Sequence, residues 1–552
     1  MRRNDDPRNV RPSDGSEPLP PLLRNRAFRT IWAAVEMSFL GMFISVVTGA
    51  WLMTATGASA TMVALVQSAY ALPMVLFAVA AGTLADITDR RRTMLCSLGL
   101  AFVASVGMAV AGGAGSLSPW AILGFIFAIG TGVAFFNPAW QSSLGDIVPR
   151  AQLVEAVSLH GVGANAMRTI GPSLGGLLVA LWGATTALGF AAMTYLPALL
   201  QLYRRPRPPA GEGEREAFLP AFWQSFRYLS VAPRLELLLL RAFVYCLAAI
   251  SIMALLPLIA REQLGGDVRI YGFLYGGYGC GAILGGLLLR CLRRRLRIET
   301  ILSLSVYATA ISILALVFSD TLLLSLPAMV LAGAAWLLSL SLQNSVLQLL
   351  APRWIAGRLV AAYMTCSNLG MATGGLIWGL LADHYDAVTA LTVAGSLLVV
   401  PALLTWLYPL PESPAVNPEP QPCHRLPGEP HVMQGGPLYI QIEHDILPGR
   451  LDEFRRLMPQ RRRHITQLGG GGWTLLRDAR NAGRWSESFY VANWLTYRRL
   501  MERRSEETAA LRAMAAACQR NGKEPPVRLM LFTQTGVSEY GNFLNTLGQV
   551  DK

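Results

Sequence analysis

Charge is scarce in this chain: only 15% of its 552 residues are Asp, Glu, Lys or Arg, against about a quarter in a typical soluble domain. What charge there is gathers at the N-terminus, in a few short loops and in the C-terminal stretch, which leaves long uncharged runs between them. That distribution excludes a chain solvated on all sides and reads as a membrane protein. Cysteine is also sparse. The seven cysteines are scattered, with Cys96, Cys246, Cys280, Cys291 and Cys366 in or beside apolar segments, and no pair has metal-ligand spacing. Neither a disulfide framework nor a metal site is expected. A net charge of +13 raises nucleic acid as a partner, but the arginines fall in short clusters between apolar segments and form no single basic face. There is no ATP-binding loop, and no cofactor is expected.

What the sequence does have is apolar runs. A helix needs about 20 mostly apolar residues to cross a hydrocarbon core of roughly 30 Å. Twelve segments qualify or nearly do: Ile31–Met53, Met62–Ala85, Met94–Gly113, Trp120–Phe136, Ala156–Trp182, Thr185–Tyr203, Leu237–Ile259, Tyr271–Leu289, Ile301–Phe318, Leu322–Val346, Leu359–Leu381 and Val388–Leu407. They are spans 1 to 12 below. Basic residues follow the even-numbered spans: Arg90 to Arg92, Arg150, Arg204, Arg205 and Arg207, Arg293 to Arg295, then Arg353 and Arg358. Loops after odd-numbered spans carry almost none apart from Arg261 and Arg269. The positive-inside rule puts both termini in the cytoplasm. The first 26 residues are polar and proline-rich and span 1 is too long for a signal-peptide core, so no cleavage is expected.

The chain repeats itself. Span 4 ends in Asn137-Pro-Ala-Trp-Gln141 and span 10 in Asn344-Ser-Val-Leu-Gln348, while span 5 carries Gly171-Pro-Ser-Leu-Gly175-Gly176-Leu177 and span 11 carries Gly370-Met-Ala-Thr-Gly374-Gly375-Leu376. Two six-helix halves related by a parallel repeat account for both matches, and transporters so built bind substrate between the halves near mid-membrane. The division expected is a tail at 1–26, an N-terminal half at 27–203, a cytoplasmic linker at 204–234, a C-terminal half at 235–409, a Pro-rich linker at 410–436, a small domain at 437–535 and a tail at 536–552.

From about Arg24 to Pro409 the chain resembles the major facilitator superfamily, in the drug and siderophore exporter branch that includes enterobactin exporters and transmembrane secretion effectors. Gly82-Thr-Leu-Ala-Asp86-Ile-Thr-Asp-Arg90-Arg91 is similar to that family's signature between spans 2 and 3. Gly82 allows close helix approach, and Asp86 with Arg90 and Arg91 can form a charged latch with neighbouring helix ends that breaks when the halves rock. The same arginines would also serve topology alone. Two departures stand out: the signature's second Gly is Asp89 here, and the repeat copy, Gly286-Leu-Leu-Leu-Arg290, has Arg in place of Asp. The run Gly171, Pro172, Gly175, Gly176 resembles the span 5 signature of proton antiporters, with Met167 at its leading Gly position. Small residues at that spacing also allow close packing, and Pro172 a bend, without any coupling role.

Ionisable residues inside a span are functional candidates by default. Arg168 lies twelve residues into span 5, about 18 Å deep at a 1.5 Å rise. It is either a substrate or proton-pathway group or a structural ion pair. Glu36 lies about 7 to 8 Å into span 1 and can be a protonatable coupling residue or merely interfacial. Arg241 and His160, close to span ends, read as snorkelling or interfacial. Asn137, Gln141, Asn344 and Gln348 would line equivalent faces of spans 4 and 10, where uncharged donors suit an amphipathic solute, or would glue helices together.

Beyond the Pro-rich linker the pattern changes. Leu438, Ile440 and Ile442 alternate as a strand; Leu451, Phe454, Leu457 and Met458 mark an amphipathic helix. A turn at Gly469 to Gly472 leads to strands at Trp473–Leu476 and Trp485–Trp494, a helix to about Cys518 and a last strand at Val527–Phe532. That βαββαβ order is ferredoxin-like, and it resembles the dimeric α+β barrel of antibiotic-biosynthesis monooxygenase-like domains. Trp473, Trp485, Phe489 and Trp494 read as core or interface, and no acid, base or nucleophile set stands out. A regulatory or oligomerising module is expected.

The whole reads as an all-α polytopic membrane protein of twelve transmembrane helices in two six-helix halves, with a small α+β ferredoxin-like domain. The expected function is proton-coupled export of small amphipathic organic molecules across a bacterial inner membrane by alternating access. An importer or symporter, or a membrane-tethered enzyme or regulator acting through the C-terminal domain, are the rivals. Protons, the lipid bilayer and a second copy of the chain are the expected partners besides the substrate; nucleic acid is not one.

Overall fold

The computed structural model describes residues 21–149, 152–205, 233–350, 356–408, 437–492, 494–502 and 506–531. The N-terminal tail to residue 20, Arg150, Arg207, Arg353, most of the 204–234 linker, the 410–436 linker, Phe532 and the last tail lie outside the described residues. Among the described residues, nine helical segments are long and apolar enough to cross a membrane: Arg26–Ala55, Arg90–Gly113, Pro119–Leu144, Ala184–Arg204, Leu235–Gln263, Val268–Arg295, Ile298–Val317, Leu322–Leu350 and Ala387–Thr405. Spans 2, 5 and 11 complete the twelve as Ala60–Leu76 continued by Ala78–Ile87, Leu153–Trp182 and Ala356–His384. Spans 5 and 11 are rich in Gly and polar residues. That composition belongs to helices that face other helices more than lipid.

Proline sets where two spans break. A Pro has no N–H and its ring crowds the carbonyl four residues back. In span 6 the helix stops at Met193, four residues before Pro197, and in span 12 at Leu397, four before Pro401. Both spans resume at once, so the bundle keeps its count while each helix bends.

Within each half, spans pack through small residues; between halves, span 2 meets span 11 and span 5 meets span 8. At the second contact the backbones nearly touch. A Cβ on Gly176 would lie 2.7 Å from the Cα of Gly272, so only glycine fits on either helix. Tyr271 Oη donates to the Val47 carbonyl at 3.2 Å and its ring stacks on Trp51 at 5.2 Å, while Ser173 Oγ donates to the Tyr275 carbonyl at 3.0 Å. These ties cluster in the half of the bundle farthest from the N-terminal Arg26 and the Arg-rich loops.

The C-terminal domain is a four-stranded antiparallel sheet: β1 Leu438–Asp445, β2 Gly471–Arg477, β3 Arg484–Val491 and β4 Val527–Leu531, in the order β2-β3-β1-β4. Helices Leu451–Gln467 and Glu506–Ala517 pack together through Phe454, Leu457, Met458, Leu511 and Ala515. Leu438, Ile440, Ile442 and His444 alternate inward along β1. Two boundaries differ from the sequence expectation. β3 ends at Val491, and Trp494 opens a helix, Trp494–Glu502, rather than closing a strand; the single expected second helix is therefore two, with Glu506–Ala517 following. Trp494 and Tyr497 face the core together, 5.5 Å apart between ring centres, a helical spacing of three that a strand could not give.

Candidate functional site

A cavity of about 170 Å³ lies between the halves. Phe43, Tyr70, Tyr275, Tyr278, Trp336 and Tyr363 give it aromatic walls, and Gln67, Ser341, Asn344, Ser367 and Asn368 supply uncharged polar groups. Among the described residues lining it, Arg168 is the only charged one. Its side chain is exposed to that space. Among the described residues no hydrogen bond or ion pair holds it. Asn344 Oδ1, on the opposite half, is buried and has no hydrogen-bond partner among the described residues.

The other three amides are elsewhere. Asn137 is half-buried, Gln141 and Gln348 are exposed, and none of them lines the cavity. The repeat is real in sequence, but the cavity draws its polar groups from spans 2, 5, 10 and 11. Gln67, Tyr70, Tyr275, Tyr278, Tyr363 and Asn368 were not singled out by sequence; a polar or tyrosine residue on an otherwise apolar span was the only available signal.

Glu36 is inside the protein, 4% exposed, and so is His160, at 7%. The His160 Nδ1 lies 2.9 Å from Glu36 Oε1, while Glu36 Oε2 is buried and has no hydrogen-bond partner among the described residues. His160 is thus not interfacial: Phe39 and Trp140 cover its ring, and spans 1 and 5 pack tightly enough that a Cβ on Gly163 would sit 2.5 Å from the Glu36 carboxyl carbon. Arg241 does not snorkel either. It is buried, donates to Glu299 Oε1 at 2.8 Å and to the carbonyls of Leu404 and Tyr408, because spans 9 and 12 cover that end of span 7.

In the signature between spans 2 and 3, Arg90 Nη1 donates to the Ser142 carbonyl at 2.9 Å and to Asp146 at 3.0 Å. Arg91 donates to the carbonyls of Leu202, at 2.8 Å, and Tyr203. Both arginines thus tie span 3 to the ends of spans 4 and 6 within one half. Gly82 is partly buried, and the side chain of Asp86 lies outside the described set. Asp89, where the signature has its second Gly, caps span 3 by accepting from the Arg91 amide at 3.0 Å, a role a carboxylate fills well at a helix N-terminus. Gly171 and Gly175 back onto span 1, at Phe43 and Ile44, Gly176 faces the other half, and Pro172 lines the cavity.

The C-terminal domain holds an ionic cluster that sequence reading missed. Glu487 on β3 is fully buried and accepts from His444 Nε2 at 3.1 Å, Arg461 Nη2 at 2.8 Å and Trp473 Nε1 at 2.9 Å. His444 Nδ1 meets Gln519 Nε2 at 2.9 Å. Burial alone would raise the Glu487 pKa, but the bonds from His444 and Arg461 outweigh it and hold the carboxyl down at about 2. A satisfied network of this kind specifies a core. Phe489 is core, and Trp473, Trp485 and Trp494 pack against the buried clusters, as the sequence suggested.

Comparison with known proteins gives the same architecture. Over 332 residues the chain is 27% identical to the enterobactin exporter EntS of Salmonella choleraesuis (strain SC-B67), covering 59% of this chain and 78% of that one. It is 26% identical over 330 residues to the enterobactin exporter EntS of Escherichia coli O1:K1 / APEC, covering 58% and 77%. Among solved structures it is similar to a bacterial homologue of the human lysosomal transporter Spinster, inward-facing and unoccupied, with a TM-score of 0.55 at 15% identity over 70% of this chain and 97% of that one. It is likewise similar to the nucleoside transporter NupG, with a TM-score of 0.56 at 13% identity over 69% and 98%. These relatives are transporters, not enzymes. The model of the transmembrane secretion effector family matches residues 16–536, and the chain, a multi-pass membrane transporter of the major facilitator type, belongs to that family.

Proposed function

We propose that the chain is a secondary active exporter in a bacterial inner membrane, with both termini cytoplasmic, that moves small amphipathic organic molecules bearing an anionic group. The observation that carries this reading is Arg168, which among the described residues is the one charged group lining an aromatic-walled cavity between the halves and has no hydrogen-bond or ion-pair partner there. A guanidinium in such surroundings presents a planar fork of donors suited to a carboxylate or a similar oxyanion. The aromatic rings take up the apolar body of the same molecule. The exporter names of the relatives favour outward movement and a drug- or siderophore-type cargo. The halves then alternate about the cavity.

Proton coupling is assigned to Glu36 with His160. Glu36 Oε1 and His160 Nδ1 lie 2.9 Å apart inside the bundle, within reach for a proton to pass between the two side chains. Flux of anionic amphipathic dyes and siderophores into proteoliposomes, with and without an imposed pH gradient, tests both assignments. At matched incorporation, Arg168→Ala is expected to abolish flux and Arg168→Lys to restore part of it, keeping the charge but not the fork. Glu36→Gln is expected to lose the response to the gradient. Full gradient-driven transport by Arg168→Ala would end the substrate assignment, and undiminished coupling in Glu36→Gln would remove Glu36 from the mechanism.

A further inference from the structure

We propose that Asp383, at the end of span 11, is a latch that closes the far end of the bundle by capping span 2 across the interface between the halves. The argument begins with the first turn of span 2. Ala60 and Thr61 open that helix, and the amides of a first turn have no partners within the helix. The hydroxyl of Ser59, the N-cap residue before them, accepts from the Met62 amide at 3.4 Å. The Ala60 amide instead donates to Asp383 Oδ1 at 2.6 Å and the Thr61 amide to Oδ2 at 3.0 Å. The acceptor is more than 300 residues away in sequence and belongs to the other half. Such bonds to a carboxylate are charge-assisted, and the positive end of the helix dipole adds to them.

Span 11 is shaped to bring the carboxylate there. Gly375, Gly379 and Asp383 follow one another at intervals of four and so share one face of the helix. A Cβ on Gly379 would lie 2.9 Å from the Thr61 Cα, and one on Gly375 3.0 Å from the Ala64 carbonyl oxygen. One turn further in, Ser68 Oγ donates to the Ala372 carbonyl at 2.6 Å. The Arg261 guanidinium, on the Thr54 carbonyl, makes a second tie between the halves at the same end.

The latch therefore holds the state in which this end is shut. Separating spans 2 and 11 here would leave two amides and a carboxylate to find new partners, and opening of this end has to pass through that loss. The role of the latch in transport rests on the alternating-access reading above, whereas its existence does not.

The test uses the full chain in lipid nanodiscs, with native cysteines replaced and spin labels at Ser116 and Asp320, both exposed in loops at this end. Pulsed electron–electron distances then report separation of the halves without any substrate. Asp383→Asn removes the charge. Ala60→Pro removes one donor from the other side; Pro is accommodated at the first helical position, and Ser59 already has the extended backbone, φ −62° and ψ 159°, that a following proline requires. Because each charged hydrogen bond contributes substantially, each variant is expected to raise the long-distance population by about tenfold. Ala60→Pro keeps the proposal testable where Asp383→Asn does not fold. Unchanged distances in the folded variants would overturn the latch and leave the transport reading intact. A native chain that moves no solute, with distances that shift in both variants, would instead count against transport and leave the latch standing.

Discussion

At the scale of single residues, the contrast between Arg168 and Glu487 shows how surroundings decide what a charge inside the fold does. Glu487 has three donors and no exposure, so it is fixed, charged and structural. Arg168 faces the cavity and has no hydrogen-bond or ion-pair partner among the described residues, the basis of the substrate role proposed above. The depressed Glu487 pKa carries a pH prediction. A carboxyl whose folded-state pKa, about 2, lies below its ordinary value of about 4.3 stabilises the fold at pH above that ordinary value. The contribution is lost as pH falls from there to about 2. Pulse proteolysis of the intact chain in micelles, following release of the C-terminal domain against urea, should show midpoints level above about pH 5 and falling below it. Glu487→Gln should lose about 3 to 5 kcal/mol at neutral pH, since Arg461 is left buried without its counter-charge. A variant as stable as the native chain would show that the cluster does not hold the domain together.

At the scale of elements, the contact of spans 5 and 8 depends on the absence of side chains. Gly176 and Gly272 approach so closely that any Cβ must push the helices apart. Gly176→Val should lower transport at least about tenfold while the protein still inserts, because the collision lies between the halves and each half's own packing continues elsewhere. Gly99, which has open space around its missing Cβ, is the control: Gly99→Ala should be neutral or slightly stabilising through helix propensity. Equal losses in both variants, measured as flux per inserted molecule, would show that the glycine contact is not special. The span 5 glycines were legible in the sequence as packing residues. What they pack against was not, since Gly176 and Gly272 are far apart in the chain and share no motif.

For the whole molecule, the proposed orientation makes a prediction of its own. In intact cells, cysteines placed in the 204–234 linker and in the C-terminal domain should resist impermeant maleimides, and one at Gly266 should label. Labelling of the C-terminal domain from outside would reverse the orientation. The latch residue Asp383 would then face the cytoplasm.

The sequence by itself determined the twelve spans, the two halves and the four strands of the C-terminal domain, though not the division of its second helical stretch in two, because apolar length, the positions of Gly and Pro and strand alternation are local quantities that a chain carries into any environment. It also picked out Arg168 and Glu36, since a charge inside an apolar run is visible without coordinates. Only the tertiary structure decided their surroundings. It paired Glu36 with His160, buried Arg241 against Glu299, left Arg168 open to the cavity and assembled Glu487 with His444 and Arg461. It left Asn137, Gln141 and Gln348 off the cavity wall and brought Asp383 onto the first turn of span 2. Each of these depends on the rotation of a helix about its axis and on which helix covers it, and those are settled when residues distant in the chain pack together.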